Sequence, residues 1–206
     1  MAHIPDGVLA APVLIGGAVI TVGALAVALH RLDTERIPQV AVLSAAFFIS
    51  SLVSIPMGPG SVHLLMNGLM GLVLGWAAVP AILVALSLQA VFFGYGGFLV
   101  LGVNTMNIAL PALVCGMFFS RWLQVTDVRR SFLLGALAGG LGVLLTGLMV
   151  VITIALSNTD YLPAAKVMIF TYLPLAVVEM VVAGAAISFI RRVAPELLFL
   201  PERQSV

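Results

Sequence analysis

Long apolar runs separated by short polar clusters dominate the sequence, and they do not show the apolar and polar alternation of a half-buried strand. Most runs approach the 20 or so residues that a helix needs to cross the roughly 30 Å hydrocarbon core of a bilayer. The pattern therefore predicts an all-α, polytopic membrane protein with seven transmembrane helices. The predicted spans are 10–29, 40–55, 63–78, 79–93, 99–120, 132–156 and 167–190.

The division between the third and fourth spans depends on one short segment. Residues 62–93 carry no charged side chain and form a run too long for one ordinary crossing. Because proline interrupts the hydrogen bonding of a helix, we divide this run at residues 76–80, which end in Pro80.

Basic residues predict the orientation, because Lys and Arg are retained on the cytoplasmic side in short loops. With seven spans, eight of the nine basic residues fall on one side, and Lys166 alone falls on the other. The eight are Arg31, Arg36, Arg121, Arg129, Arg130, Arg191, Arg192 and Arg203. The N-terminus is therefore predicted outside and the C-terminus inside. Merging the third and fourth spans would break this pattern.

Composition agrees with a chain embedded in a lipid bilayer: 62% of the 206 residues are hydrophobic, 8% are charged, and the mean hydropathy is +1.23. We expect one membrane domain over 1–206, with an outer tail at 1–9 and a cytoplasmic tail at 191–206.

Residues 1–29 lack the basic start and short apolar core of a secretion signal, so we expect them to be retained as the first span. The net charge of +1 gives no reason to expect a nucleic-acid partner.

Two of the three histidines fall on the predicted outer side. His3 lies in the N-terminal tail, and His63 follows the loop between the second and third spans. His30 lies beside Arg31 on the predicted cytoplasmic side, where a solvated histidine is expected. Ser61 is a predicted N-cap of the third span, which would put His63 in the first helical turn, where the helix dipole favours neutral imidazole.

A histidine close to the start of a chain has a particular metal chemistry. The free amine, the intervening amide nitrogens and the imidazole can close fused chelate rings around one ion, and nitrogen ligands in a plane suit Ni(II), Cu(II) and related ions. Pro5, Asp6 and Gly7 favour a tight turn that folds the tail back on the protein. We therefore predict an outer metal site that contains His3 and His63.

The motifs HIPDG, SVHLLMNGLMGLVLG and QAVFFGYGGFLVLGVNTMNIALPAL resemble the CbiM/NikM family, the substrate-capture components of energy-coupling-factor cobalt and nickel transporters. The resemblance covers essentially the whole chain. It implies a square-planar site of N-terminal nitrogens and two histidines, which carries over here to Met1, Ala2, His3 and His63. It further implies that Co(II), or Ni(II) in a nickel-specific counterpart, is transported for uses such as cobalamin biosynthesis, and that no permanent cofactor is held.

The same resemblance implies partners in the bacterial inner membrane: a CbiQ-like transmembrane coupling protein, two cytoplasmic CbiO-like ATPases and, in some members, a small CbiN-like membrane subunit. The sequence contains no G-x-x-x-x-G-K-[ST] phosphate loop, and its one lysine, Lys166, lies in a predicted outer loop. We therefore expect a transport subunit without its own ATPase. A self-sufficient channel or an intramembrane enzyme is a weaker alternative, because the sequence shows neither an open polar path nor a His-Glu-x-x-His motif.

Two features depart from the family pattern. Ala2 stands between Met1 and His3, whereas family members have the histidine directly after the initiator methionine. Either Met1 is removed, or Ala2 is an added residue, or Met1 stays and its amine, two amides and the imidazole supply four nitrogens without His63. Tyr95 occupies a position that is histidine in many relatives, and an interfacial tyrosine is the simplest interpretation.

Polar residues inside the apolar runs are candidates for orienting the histidine rings: Asn67, Gln89, Asn104 and Asn107. For each of them, a hydrogen bond between helices is an equal alternative. Glu179 lies midway along the seventh span, where we expect a structural hydrogen bond or a protonated acid rather than metal ligation. The pairs Gly71-x-x-x-Gly75 and Gly135-x-x-x-Gly139 favour close helix contacts.

Overall fold

In the computed structural model, which describes residues 3–52, 54–57, 60–124, 127–157 and 162–198, the protein is almost entirely helical. The helices are α1 (Ala11–His30), α2 (Ile37–Ser50), α3 (Asn67–Leu74), α4 (Ala78–Phe93), α5 (Leu101–Leu123), α6 (Val128–Ser157) and α7 (Leu162–Val193). One antiparallel hairpin, β1 (Ser54–Met57) and β2 (Gly60–His63), precedes α3. Short 3-10 turns lie at Thr34–Arg36, Gly75–Ala77 and Pro195–Leu198.

Five helical stretches among the described residues are long and apolar enough to cross a membrane. They are Ala11–His30, Asn67–Phe93, Leu101–Leu123, Val128–Ser157 and Thr171–Val193. The prediction of a helical, polytopic membrane protein is confirmed at this level. α2 has 14 residues and α3 has 8, so each is shorter than an ordinary crossing of about 20 residues. Seven crossings and their orientation stay predictions.

The segment before His63 is where the predicted spans are wrong. α2 ends at Ser50 and residues 54–57 form β1, so the predicted second span extends too far. His63 is the last residue of β2 and α3 begins at Asn67, so the predicted start of the third span and the Ser61 N-cap are both wrong. The predicted spans leave only 56–62 as a loop, because hydropathy does not report the backbone pairing that extends the hairpin to Ser54 and His63. The run Pro-Met-Gly-Pro-Gly disfavours a helix there.

A tight turn separates α3 from α4 at the place where the sequence predicts a break. Gly75 begins the 3-10 turn with φ +55° and ψ −125°, a conformation that residues with side chains rarely adopt. Pro80 follows in the first turn of α4, where a missing N–H removes no helical hydrogen bond. The helix is thus interrupted at Gly75–Ala77, which overlaps the predicted break at 76–80, but the interruption lies at Gly75 rather than at Pro80. The division into two membrane spans stays a prediction, since Asn67–Phe93 is long and apolar enough for one crossing.

α3 lies at the centre of the bundle, and every one of its residues is buried. It approaches α5 and α6 so closely that two of its glycines have no space for a side chain. A Cβ on Gly68 would collide with the Ala138 carbonyl oxygen, and a Cβ on Gly71 would collide with the Ala112 carbonyl oxygen. Small residues permit this approach, as is typical of helices packed within membranes.

α6 packs as closely against α7, and two of its glycines likewise have no space for a side chain. A Cβ on Gly135 would lie 2.8 Å from the Ala183 carbonyl oxygen, and a Cβ on Gly139 would lie 2.6 Å from the Glu179 carbonyl oxygen. The predicted close contact at Gly135-x-x-x-Gly139 is therefore confirmed. It brings the backbone around Glu179 against α6 in the middle of the bundle.

We expect Gly71→Ala to lower the stability of the protein, because its methyl group meets the Ala112 backbone and α3 must then separate from α5. The expected loss is about 1–3 kcal/mol, which corresponds to roughly 3–10 °C in Tm. Thermal unfolding in detergent measures it. Gly23→Ala in α1 is the matched control, since nothing lies within 4 Å of a Cβ at that position. Equal Tm values for the two variants would contradict the packing described here.

Candidate metal-binding site

The N-terminal tail folds back over the start of α5. The predicted turn at Pro5, Asp6 and Gly7 is confirmed, and Gly7 adopts φ +86°, which favours glycine. The Asp6 N–H donates to the Gly96 carbonyl oxygen at 3.0 Å, and the Asp6 carboxylate accepts from the Val100 N–H at 3.1 Å. The carboxylate lies at the N-terminus of α5, where the helix dipole favours negative charge. These bonds hold the tail against the bundle.

Asn104 binds both backbone groups of the residue that follows His3. The Ile4 N–H donates to Asn104 Oδ1 at 3.1 Å, and Asn104 Nδ2 donates to the Ile4 carbonyl oxygen at 3.0 Å. Asn104 is buried, so water does not compete for these bonds. This amide, one of the four candidates from the sequence, fixes the backbone that carries His3.

Apolar packing and one hydroxyl group complete the attachment of the tail. Ile4 and Leu9 are buried in a cluster whose other buried members are Val100, Val103, Val150 and Ile154. At the end of the tail, Ser157 Oγ accepts from the Ala10 N–H. The tail is thus attached to α5 and α6 along its length before α1 begins.

His63 is oriented by a hydrogen bond to the next residue. It ends β2 opposite Ser54, and its Nδ1 lies 3.0 Å from the Leu64 carbonyl oxygen. Because a carbonyl oxygen only accepts, Nδ1 carries the proton and the lone pair of Nε2 is free for another partner. Metal-ligating histidines are commonly held in this way.

His3 and His63 meet in the protein interior although 60 residues separate them in the chain. Their Nε2 atoms are 3.0 Å apart, and their rings lie at 23° with centroids 5.0 Å apart. Only 6% of His3 and 4% of His63 is exposed. Two nitrogen ligands at 90°, each about 2.1 Å from one ion, would also lie about 3.0 Å apart. The spacing therefore suits either a shared proton or a shared metal ion.

Tyr95 lies against both imidazole rings. Its ring is tilted by 19° from His3 and by 5° from His63, with centroid distances of 6.0 and 6.4 Å. It lies in the segment between α4 and α5, next to Gly94 and Gly96, which both have positive φ. Sequence reasoning assigned Tyr95 only an interfacial role. Two signals in the sequence pointed to this segment: the flanking glycines, and the family resemblance in which position 95 is histidine in many relatives.

Burial keeps both imidazoles neutral. Burial, together with the charge on the neighbouring His63, lowers the pKa of His3 from 6.5 to about 3. Burial also lowers the pKa of His63, although its hydrogen bond to Leu64 acts in the opposite direction. Because neutral imidazole is the form that binds metals, the pair is in its ligating form at neutral pH.

The other three candidate amides do not contact the histidines through any hydrogen bond of the described residues. Asn67 Nδ2 donates to the Thr146 hydroxyl at 2.8 Å, and Asn107 Oδ1 accepts from the Thr153 hydroxyl at 3.0 Å. Both are bonds between helices. Gln89 is completely buried, and neither of its side-chain polar atoms has a hydrogen-bond partner in the described parts of the chain.

The remaining candidate ligands, Met1 and Ala2, lie outside the described residues. His30 ends α1 with its side chain exposed, so it is not part of the pair. Among the residues described, no group of three or more His, Cys, Asp or Glu side chains could hold a metal ion. An ion between His3 and His63 would therefore need further donors of another kind.

Glu179 lies beside the segment that follows His63. It is fully buried on α7, and its Oε1 accepts from the N–H groups of Leu65 and Met66, the second at 2.8 Å. The structural hydrogen bond expected for this carboxylate is therefore present. Its closeness to the histidine segment was not expected, because a position midway along a span suggested a location far from the outer face.

Comparisons with known proteins indicate metal transport. Residues 3–197 match the CbiM family model, described as the cobalt uptake substrate-specific transmembrane region. A putative metal transport protein of Haemophilus influenzae is 38% identical over 198 residues, which are 95% of this chain and 96% of that protein. The fused nickel transport protein NikMN of Rhodobacter capsulatus is 29% identical over 95% of this chain and 63% of its own length. A crystal structure of a truncated transition metal transporter has a TM-score of 0.78 and 28% identity, covering 92% of this chain and 98% of that chain.

Acidification should destabilise the metal-free protein, because its folded state holds two neutral histidines. In the unfolded chain each histidine takes up a proton near pH 6.5, whereas both folded pKa values are lower. Stability present above pH 6.5 is therefore lost as the pH falls below it, by at most about 1.4 kcal/mol per pH unit for each histidine. Thermal unfolding of EDTA-treated protein in detergent, from pH 7 to pH 4.5, measures this loss.

The double variant His3→Ala/His63→Ala should show a flatter pH dependence of Tm than the wild type. His30→Ala, which removes an exposed histidine, is the matched control and should keep the wild-type dependence. An unchanged slope in the double variant would mean that other groups cause the acid sensitivity.

Proposed function

The chain belongs to the CbiM family of cobalt-uptake transmembrane proteins, and on this premise we propose that it captures Co(II) through His3, His63 and nitrogens of the N-terminus. Its relatives are metal transport proteins, so the chain is a component of cobalt and nickel transport. A nickel-specific counterpart is the alternative, because the related NikMN protein is named for nickel.

The His3–His63 pair is the observation that supports this proposal best. The two rings meet with their Nε2 atoms 3.0 Å apart, and both are buried and neutral. Each ring also has a fixed position: Leu64 orients His63, and Asn104 holds the backbone beside His3. A metal ion would replace this contact, because the chelate ring with the His3 amide closes through Nδ1 of the His3 imidazole while its Nε2 keeps the proton, and His63 Nε2 would be free to bind the ion.

Backbone nitrogens supply the other ligands in the proposed site. The amine and the following amide nitrogens form chelate rings with the His3 imidazole. If Met1 is removed, Ala2 carries the amine, and His63 completes a square plane with the amine, the His3 amide and the His3 imidazole. If Met1 stays, its amine, two amides and the His3 imidazole supply four nitrogens without His63. Planar nitrogen sets suit Ni(II) and related ions, so selectivity for Co(II) must come from geometry and metal supply.

We place the site on the outer face of the bacterial inner membrane. Arg36 lies in the turn between α1 and α2, and Arg191 and Arg192 lie in the last turn of α7. With seven crossings these arginines face the cytoplasm, as the positive-inside rule requires. The 206 residues then form one membrane domain, with the metal-binding tail 1–9 outside and residues 191–206 inside.

Uptake against a gradient requires energy from other proteins in this proposal. The sequence has no phosphate-binding loop, so the chain holds no ATPase of its own. The partners are a CbiQ-like coupling protein, two CbiO-like ATPases and, in some systems, a CbiN-like membrane subunit, together with the surrounding lipid bilayer. The chain binds the ion outside, and its partners drive the movement that releases it inside.

His3→Ala and His63→Ala should each weaken Co(II) and Ni(II) binding by at least about 100-fold, because each removes one ligand of a site with few donors. Isothermal titration of the purified protein with both ions measures this effect and identifies the preferred metal. His30→Ala is the matched control and should bind as the wild type does.

A second arm of the same titration tests the amine. A few residues added before Met1, or acetylation of the terminus, should weaken binding at neutral pH. Wild-type affinity in both histidine variants would exclude the proposed site. Wild-type affinity with a blocked amine would restrict the ligands to side chains.

Cells that carry this chain alone should bind radiolabelled cobalt without accumulating it. Cells that also carry the coupling protein and ATPases should accumulate cobalt, and a CbiO-like ATPase with an inactivated phosphate loop should abolish the accumulation. The time course of cell-associated cobalt distinguishes saturable binding from uptake. Sustained, concentrative uptake by the chain alone would refute the division between capture and energy supply.

A further inference from the structure

Glu179 reaches from α7 to the peptide group that orients His63. Its Oε1 accepts from the Leu65 N–H, and the carbonyl oxygen on the other side of the same peptide group, that of Leu64, lies 3.0 Å from His63 Nδ1. One peptide group therefore connects the carboxylate of α7 to the imidazole ring. The N–H of Met66 donates to the same oxygen at 2.8 Å, so the segment is held at two consecutive residues.

The held segment has an irregular backbone shape that several contacts fix. Besides the bonds to Glu179, its Leu64 carbonyl oxygen accepts from the Ser50 hydroxyl at 3.2 Å, and Leu65 is buried in the core. Met66, the N-cap of α3, has φ +48° and is the one residue other than glycine in the described parts of the chain with a positive φ.

Met66 makes no side-chain cap bond, the first turn of α3 contains no acidic residue, and Asn67 Oδ1 accepts from the Gly68 N–H at 3.0 Å. Glu179 accepts from the N–H of the N-cap residue, the bond that the Glu of a capping box makes from within its own helix.

The position of Glu179 is itself well defined. Its side chain is fully buried, and α6 lies so close that a Cβ on Gly139 would be 2.6 Å from the Glu179 carbonyl oxygen. The carboxylate is therefore attached to a closely packed helix pair, whereas His63 ends a hairpin. Because the end of the hairpin is bonded to the α6–α7 pair, the His63 imidazole keeps a fixed position relative to these two helices.

We propose that Glu179 is a positioning residue for the metal site, which fixes the His63 ligand through the Leu64–Leu65 peptide group. This inference depends on the proposed function, since it assigns Glu179 a role only if His63 binds the ion. Glu179 itself is not a ligand in this arrangement. A carboxylate that accepts from a peptide N–H also polarises that peptide, which strengthens its carbonyl oxygen as the acceptor for His63 Nδ1–H.

Three variants test this role. Glu179→Ala removes the acceptor for two buried N–H groups, and we expect it to weaken Ni(II) binding by about 10- to 100-fold, the range found when an outer hydrogen-bond partner of a ligand is removed. Glu179→Gln keeps an oxygen acceptor of similar reach and should restore most of that loss. Ser44→Ala is the matched control, because it removes a buried 2.8 Å hydrogen bond to the Ala81 carbonyl oxygen between α2 and α4.

The measurements are Ni(II) affinity by titration, Tm of the metal-free protein, and the visible absorption spectrum of the Ni(II)-loaded protein, which reports the ligand field. We expect Glu179→Ala to change both affinity and spectrum, and Ser44→Ala to change Tm alone. If Glu179→Ala does not fold, Glu179→Gln carries the test: its weaker acceptor should shift the Ni(II) spectrum at an intact Tm, and an unshifted spectrum would contradict the proposed role.

The opposite results are equally clear. Unchanged affinity and spectrum in folded Glu179→Ala protein, together with lost binding in His63→Ala, would refute this inference and leave the proposed function intact. A Glu179→Gln variant that is as unstable as Glu179→Ala, yet binds Ni(II) as the wild type does in its folded fraction, would reduce Glu179 to a stabilising residue. Equal binding by the wild type and His63→Ala would instead refute the proposed function itself.

Discussion

The burial of an irregular tail inside a membrane protein is the constraint on which the rest of the site depends. A peptide group that leaves water must find a hydrogen-bond partner, and a chain without helical bonds must take that partner from its surroundings. Ile4 finds both partners on the Asn104 side chain, and Asp6 binds Gly96 and Val100. His3 is buried only because its neighbours in the chain meet this requirement.

The short central helix α3 connects the site to the opposite end of the bundle. Its N-terminal end follows His63 and receives the carboxylate of Glu179. At its C-terminal end, Arg36 donates to the Val73 carbonyl oxygen at 2.8 Å, and the Arg31 guanidinium lies 5.0 Å from the centre of the Trp76 ring. An acidic group at the start of a helix and basic groups at its end both agree with the helix dipole. α3 is therefore a buried element that receives Glu179 at the end next to the histidine segment and Arg36 at the other end.

The chemistry of the proposed site follows from the removal of water. Desolvation keeps both imidazoles neutral, and the bond from His63 to Leu64 leaves its Nε2 free as an acceptor. The two neutral rings therefore need to lose no proton to solution before they bind a cation at neutral pH. Tyr95, parallel to both rings, limits access to the pair from its side. Such an arrangement favours an ion that accepts a few fixed nitrogen ligands over one that needs many oxygens.

The sequence by itself determined the properties that depend on local composition. Apolar runs predicted the helices, Pro80 predicted a break before α4, and the histidine near the start of the chain with its turn predicted the candidate site. The segment before His63 was predicted only as a loop, because the pairing of its two strands depends on contacts that hydropathy does not report. Only the tertiary structure decided that His3 and His63 touch, that Asn104 rather than Asn67 or Asn107 holds the tail, and that Glu179 supports the histidine segment. Those contacts depend on how the helices rotate and pack against one another, and hydropathy along the chain carries no information about rotation.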